Sequence, residues 1–276
     1  MPDMASINES QSIAFFIGHP GHELRVFGWA RLVHPEVFVL TDGSGAGAAT
    51  RLERTTQLLS QIGAKRGNVY GRFSDEGLYQ ALIAGEASKL TAIVDELAKS
   101  WIRSGIEVVA SDSYEGFSPT HDLCCEMAQA ATDLVHGETG RRIQRFTFPL
   151  TEWEGAIRDV GDKSLSGLRL ELNDETLDAK ITAARTYFEL DAEVDHALAL
   201  RGPEYFREEY MHPIYGWTNK EASYKPLYEE YGEQRVADGK YKRVLRYRNH
   251  MLPIFQALRE HVERRPLRGA SSIGIV

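Results

Sequence analysis

The sequence predicts an α/β protein, with a Rossmann-like, mostly parallel sheet carrying helices on both faces and a helical C-terminal extension. Three observations carry that prediction. Short runs of β-branched and aromatic residues each end in a polar loop rich in Gly, Pro or Ser. Between them lie segments of about 10–15 residues with apolar positions at helical spacing. From about Leu172 onward the strand-like runs give way to amphipathic, charged segments. Strands alternating with helices favour a parallel sheet, because a parallel crossover needs a helix-sized connection.

The first strand is Ile13-Ala14-Phe15-Phe16-Ile17, ending at Gly18-His19-Pro20-Gly21-His22-Glu23. Glu36 to Thr41 is a second strand, followed by Asp42-Gly43-Ser44-Gly45. Arg51 to Gly63 places Leu52, Leu58, Leu59 and Ile62 at helical spacing and stops at a glycine. Asn68 to Phe73 reads as a short third strand. Lys89 to Arg103 is an amphipathic helix with Leu90, Ile93, Val94, Leu97 and Trp101 in one stripe. Ile106 to Ala110 is a fourth strand, running into the loop Ser111 to Thr120. His121 to Val135 reads as a helix and Arg142 to Phe148 as a further strand. Beyond it, Leu177 to Leu190 and Pro203 to Tyr210 read as helices, Met211 to Lys225 as an ordered loop, and Pro226 to Arg264 as helical. Residues 1–212 are thus expected to form the α/β domain. Residues 213–276 form an extension packed on that domain or on a partner subunit, which makes a homo-oligomer a further expectation.

The formal net charge of -8 over 276 residues argues against a nucleic-acid binder, which presents a basic face to phosphates. No apolar stretch approaches the roughly 20 residues needed to cross a bilayer. Met1 to Gln11 lacks the charged-then-apolar order of a signal peptide. Cys124 and Cys125 are neighbours in an expected helix, where adjacent side chains diverge, so they point to free thiols and a cytoplasmic setting. Gly43 to Gly47 lacks the Lys-Ser/Thr of a phosphate loop and the spacing of a dinucleotide fingerprint, and reads as a substrate loop.

His19 and His22 sit three residues apart at the C-terminal end of the first strand, where open α/β sheets bind ligands. His121, in Ser118-Pro119-Thr120-His121-Asp122, follows the fourth strand. The first and fourth strands are commonly neighbours in a doubly wound sheet, so the two loops face each other across the crevice. Three histidines converging there form a ligand set for zinc or another divalent metal, with a position left for water. The remaining histidines have no clear partners, and His212, in Tyr210-Met211-His212-Pro213, is the first candidate among them to reach a pocket.

These residues resemble the GlcNAc-phosphatidylinositol de-N-acetylase family, the LmbE-like or PIG-L-type deacetylases. The family opens with a strand and His-Pro-Asp-Asp-Glu, where this chain has His19-Pro20-Gly21-His22-Glu23. Its Asp-x-x-Gly-Gly-x-x-His-Pro-Asp-His motif is loosely matched by Asp112 to His121. Arg51, Phe73-Ser74-Asp75 with Leu78, Lys180 with Ala183 and Tyr187, and Glu204-Tyr205-Phe206-Arg207 follow the family's order. The resemblance implies zinc on His19 and His121, with His22 in place of an aspartate ligand. Gly21 stands where the family has its general base, and Ser118 and Thr120 replace a His and an Asp of the second motif. Three neutral imidazoles would leave the metal more positive and acidify its water more strongly, lessening the need for a base. The activity implied is removal of an acetyl or similar acyl group from an amino sugar conjugate or another small polar amide. Asp112, Glu115 and Asp122 are the candidate proton carriers, Arg51, Asp42 and Tyr187 the candidate substrate contacts, and Glu23 a residue orienting a ligand. Two other readings stay open: a metal enzyme of different chemistry on a small metabolite, and an inactive fold kept for ligand binding or assembly.

Overall fold

Every residue of β1 (Ile13–Ile17) is buried, and its side chains divide alternately between two apolar clusters. Ala14 and Phe16 enter one, and Ile13, Phe15 and Ile17 the other. With a side-chain period of two, a strand apolar on both faces must be covered on both faces. The computed structural model, which describes residues 11–45, 49–151 and 167–265, shows that arrangement. Residues 46–48 of the glycine-rich stretch, the N-terminal ten and residues 266–276 lie outside the described residues.

The sheet of the described residues has seven strands in the order β3-β2-β1-β4-β5-β7-β6. The others are β2 (Glu36–Thr41), β3 (Lys65–Phe73), β4 (Val108–Asp112), β5 (Gln144–Phe148), β6 (Leu168–Glu171) and β7 (Glu208–Pro213). β1 to β5 pair in parallel, whereas β7 runs antiparallel to β5 and β6 antiparallel to β7. Residues of α1 (Phe27–Val33), α2 (Leu52–Gln61) and α6 (Asp174–Ala184) join the cluster on one face. α3 (Asp75–Ile83), α4 (Ala87–Arg103) and α5 (Pro119–Thr139) cover the other. The stripe expected on α4 is buried, with Trp101 set edge-on to Phe38 of β2 at 6.1 Å between rings. No helix among the described residues is long and apolar enough to cross a membrane.

α5 is buried nearly all round, although one face of a helix suffices to pack on a sheet. Its outer side is closed by α9 (Leu252–Glu263), which packs on both α4 and α5. Tyr228 of α8 (Leu227–Ala237), together with Leu245, Tyr247, Met251, Ile254, Phe255 and Leu258, enters the same cluster as Phe16 and Phe38. Each such side chain contributes about 1.5–3 kcal/mol by leaving water.

The C-terminal half departs from the sequence reading. The single helix expected over Leu177 to Leu190 ends at Ala184; a 3-10 turn, Phe188–Leu190, then leads into α7 (Asp191–Arg201). The expected helix Pro203 to Tyr210 is a 3-10 turn, Pro203–Phe206, followed by β7. In β7, Glu209 and Met211 are buried while Glu208 and Tyr210 are exposed, the alternation of a strand. The expected loop from Met211 therefore begins as the end of that strand. The helix expected over Pro226 to Arg264 is two, α8 and α9, with the turn Asp238-Gly239-Lys240 and a π turn, Tyr247–Met251, between them.

Candidate metal and active site

β1 and β4 are neighbours, with Phe15 opposite Ala110, and the chain leaves them towards opposite faces of the sheet. That switch point opens a crevice at the strands' C-terminal ends. His19 lies just past β1, His22 begins the 3-10 turn His22–Val26, and His121 sits in the first turn of α5. α5 is started there by Ser118, whose Oγ accepts the Thr120 N–H at 3.3 Å, and by Pro119 at its first position. One ring nitrogen from each of His19, His22 and His121 lies within 4.8 Å of the others. The ring centroids are 4.9 to 5.9 Å apart.

Each ring has a carboxylate behind it. His19 Nδ1 is 2.7 Å from Thr41 Oγ1 and 2.9 Å from Asp75 Oδ1. The Thr41 hydroxyl donates its proton to Gly18 O at 2.9 Å, so His19 Nδ1 must carry the hydrogen between them. His22 Nδ1 is 2.9 Å from Asp112 Oδ2, which also accepts the Gly18 N–H at 2.8 Å. His121 Nδ1 lies 3.6 Å from Glu115 Oε2. With Nδ1 of His19 and His22 engaged from behind, Nε2 is the nitrogen those two rings have left for a ligand, as in carboxylate–histidine–metal arrangements. Burial, reinforced by the neighbouring His19, holds His22 well below the usual imidazole range. Burial also lowers His121, against the pull of Glu115. Imidazole nitrogens with free lone pairs are the donor set a divalent metal needs, so these residues fit such an ion.

The carboxylates differ among themselves. Burial works against the charge of Asp75, but the hydrogen bond and the attraction of His19 together with the Gly45 N–H outweigh it, holding the acid well below its usual range. Asp112 is fully buried, and that burial pushes its pKa to about 7 despite the nearby histidines and the Gly18 N–H. Burial likewise raises Asp122 to about 8, although its Oδ1 accepts the N–H groups of Glu115 and Gly116, both at 2.9 Å. Glu115 Oε1 accepts the Leu150 N–H at 2.8 Å, and its Oε2 accepts the Thr151 hydroxyl at 3.2 Å. Buried Asp112 Oδ1, His121 Nδ1 and Asp122 Oδ2 have no hydrogen-bond partner among the described residues.

A cavity of about 450 Å³ opens beside the histidines, lined by His22, His121, Gly21, Arg51, Phe117 and Thr151 and by residues of α6 and α7. Arg51 reaches it because the Asp42 carbonyl accepts the Arg51 N–H at 2.9 Å and Asp42 Oδ1 accepts the Ser44 N–H at 2.9 Å. Arg51 Nε is buried and has no hydrogen-bond partner among the described residues. Of the residues singled out from the sequence, the histidines and Arg51 therefore come together. Asp112 and Glu115 stand behind His22 and His121, Asp122 secures the turn at residues 115–116, and Asp42 shapes the approach to Arg51. Tyr187 is fully buried, its hydroxyl bonded to Glu23 Oε1 and 3.0 Å from Thr55 Oγ1. Glu23 Oε2 accepts the Gly21 N–H at 2.8 Å, so this network fixes the turn between His19 and His22. His212 stacks on Tyr210 instead of lining this cavity. Asp75, Thr41 and Thr151 were not among the expected site residues. The Ser74-Asp75-Glu76 start of α3, where Ser74 Oγ accepts the Gly77 N–H, is the helix-start signal that could have found the first.

Gly21 has φ +105°, a conformation L side chains rarely adopt, and a Cβ there would lie 3.1 Å from Leu190 Cδ1. Backbone and neighbours alike are thus set for glycine at the position where the resembled family has an acid. Gly21→Asp is expected to cost about 1–3 kcal/mol of stability, read as a lowered urea midpoint, and to bring no increase in activity.

No protein-family model matches the sequence, and no curated protein does. Solved structures do match in shape. The antimicrobial reagent A40926 pseudoaglycone deacetylase aligns with a TM-score of 0.50 at 15% identity, over 76% of this chain and 99% of that one. The chain has the fold of that deacetylase. A triple mutant of a deacetylase of the teicoplanin biosynthetic pathway gives 0.49 at 14% identity, over 76% of this chain and 100% of the other. A conserved protein of Thermus thermophilus gives 0.44 at 19% identity with the same two coverages.

Proposed function

We propose that this chain is a divalent-metal-dependent amidohydrolase of the LmbE-like type, deacylating an amino sugar conjugate or a related small polar amide. The observation that carries the reading is the convergence of His19, His22 and His121 within 4.8 Å, each with Nδ1 turned to a carboxylate, beside a cavity. The shared fold with a deacetylase supports it. His19, His22 and His121 would hold the ion, and a set of three imidazoles suits zinc. When bound, such an ion supplies Lewis acidity, polarising an amide carbonyl and lowering the pKa of a water.

The protein's own groups do the rest. Asp75 and Asp112 keep His19 and His22 in the tautomer and orientation that present Nε2, and Glu115 stands behind His121. Arg51, whose buried Nε has no hydrogen-bond partner among the described residues, offers donors to a carboxylate, phosphate or hydroxyl of the substrate. Glu115 is the carboxylate with a route to the cavity, since the Thr151 hydroxyl that lines it donates to Glu115 Oε2. A proton taken up by Glu115 through the Thr151 hydroxyl can return by the same hydroxyl to the departing amine.

Purified protein is expected to carry about one equivalent of divalent metal by plasma mass spectrometry and to release free amine from N-acylated amino sugars. Chelation should abolish release, and zinc, cobalt or manganese should restore it. Protein that takes up none of these metals and leaves every amide of the panel intact would overturn the reading.

A further inference from the structure

The three histidines are not held alike. His19 Nδ1 has Thr41 Oγ1 at 2.7 Å and Asp75 Oδ1 at 2.9 Å, and His22 Nδ1 has Asp112 Oδ2 at 2.9 Å. His121 Nδ1 has no hydrogen-bond partner among the described residues, and Glu115 Oε2 stands off at 3.6 Å. Packing therefore decides how the His121 ring lies. His19 and His22 meet it edge-on, at 71° and 89°, whereas Phe117 stacks on it at 30° and 6.3 Å between centroids. Phe117 is half-buried on the loop between β4 and α5, and its support comes from α8. The Tyr231 ring meets it at 81° and 5.8 Å, the edge-to-face arrangement that aromatic pairs favour. Two further contacts tie the same loop to this part of the chain. The Tyr228 N–H donates to Gly116 O at 3.1 Å. Gly116 has φ +67°, and a Cβ there would lie 2.2 Å from the Tyr224 hydroxyl, so Tyr224 rests on bare backbone.

α8 lies beyond Glu204 to Arg207, the last residues that follow the deacetylase family's order. Tyr231 is not on the cavity lining; the ring it meets is that of Phe117, which is. We propose that Tyr231 is a positioning residue of the metal site. Through Phe117 it holds the His121 ring at the angle that turns it towards His19 and His22. The role towards a metal rests on the amidohydrolase reading, whereas the chain of ring contacts stands on its own geometry. An aromatic pair of this kind is worth about a three- to tenfold change in an equilibrium that depends on it.

The test compares Tyr231→Ala and Tyr231→Phe with Tyr241→Ala on the full chain. Tyr231 is 53% exposed and Tyr241 40%, so neither removal empties the core. Tyr241 packs on a different ring, that of Tyr79 at 5.3 Å, and serves as the control for general loosening. The first readout is the NMR spectrum of metal-free, histidine-labelled protein. The His121 ring resonances, assigned by their loss in His121→Gln, are expected to shift in Tyr231→Ala while those of His34 stay in place. The second is a cobalt titration followed by the visible spectrum. Tyr231→Ala is expected to bind cobalt about three- to tenfold more weakly than the wild type. Phe117→Leu, which removes the stacked ring itself, should reproduce both effects. Tyr231→Phe keeps the ring and should match the wild type in both readouts, as should Tyr241→Ala, whatever melting temperature it loses. His121 resonances that stay put in Tyr231→Ala overturn the proposal, with or without metal binding. Shifted resonances with unchanged cobalt affinity overturn the positioning role, and so does a weakening that Tyr241→Ala shares. Wild-type protein that takes up no cobalt, with His121 resonances that Tyr231→Ala moves, sustains the ring contact and counts against the metal reading.

Discussion

Replacing His19 or His121 by alanine is expected to reduce bound metal from about one equivalent to a trace and to lower amide hydrolysis roughly a thousandfold or more. Three donors are the minimum that still leave a tetrahedral ion an open position, so a site with two cannot hold it at ordinary metal concentrations. The expected loss comes with little loss of stability for His19→Ala, since His19 is only partly buried and its Nδ1 partners keep other bonds: Thr41 to Gly18, and Asp75 to the Gly45 N–H. Asp112→Asn provides the graded control. It keeps the shape behind His22 but weakens the acceptor, and should loosen metal binding about 10- to 100-fold. Metal titration against a chelating dye reads both effects. If His19→Ala bound metal as tightly as the wild type, the three-histidine site would be refuted, whatever activity remained.

The outcome at position 22 is tied to its neighbour. His22→Asp restores the residue type of the resembled family, but it sets a second carboxylate beside fully buried Asp112. Like charges in such a place oppose one another. His22 and Asp112 are therefore a matched pair, and a swap at one position alone does not return the chemistry of the family's motif.

How much of this was legible in the sequence depends on the range of the interactions. β1 and β2 have the expected ends, because continuous apolar runs bounded by Gly, Pro and Asp leave little latitude. The three histidines were legible for the same local reason, together with the general rule that places the first and fourth strands side by side. The carboxylate behind each ring was not. Asp75 reaches His19 across 56 residues and Asp112 reaches His22 across 90, and neither pairing leaves a trace in spacing. β7 was misread as helix because Pro203-Glu204 opens like a first helical turn. Its later residues extend because Glu209 turns inward to groups 29 and 181 residues away. The contribution of α7 to the cavity was hidden by a separate misreading, since one helix over Leu177 to Leu190 leaves no α7 to line it.

That inward turn of Glu209 sets up the second large expected effect, on stability. Glu209 is 2% exposed and Lys180 7%. Lys180 Nζ donates to Glu209 Oε1 at 2.8 Å and to Phe206 O at 3.3 Å. The same carboxylate caps α1, accepting the Gly28 N–H at 2.9 Å and the Trp29 N–H at 3.2 Å. One ion pair thus joins α6, β7 and the start of α1, the helix that leads out of the histidine turn. Lys180→Met would leave the carboxylate buried without its counter-charge, at an expected cost of about 3–5 kcal/mol, seen in the urea midpoint. Lys180→Met with Glu209→Gln should recover part of that, because the amide oxygen still accepts from the helix N-terminus and no bare charge remains. The pH dependence has a definite sign. Burial, against the attraction of Glu209, holds the Lys180 ammonium below the ordinary lysine value of 10.5. In the window between that lowered value and 10.5 the unfolded chain binds more protons than the folded one, so this group's contribution to stability rises with pH there and falls away as pH drops through the folded value. The difference in stability between wild type and Lys180→Met should therefore widen as pH is raised across that window. A difference that stays flat would show that burial does not lower the Lys180 value, and a variant as stable as the wild type would show that the pair does not hold this junction together.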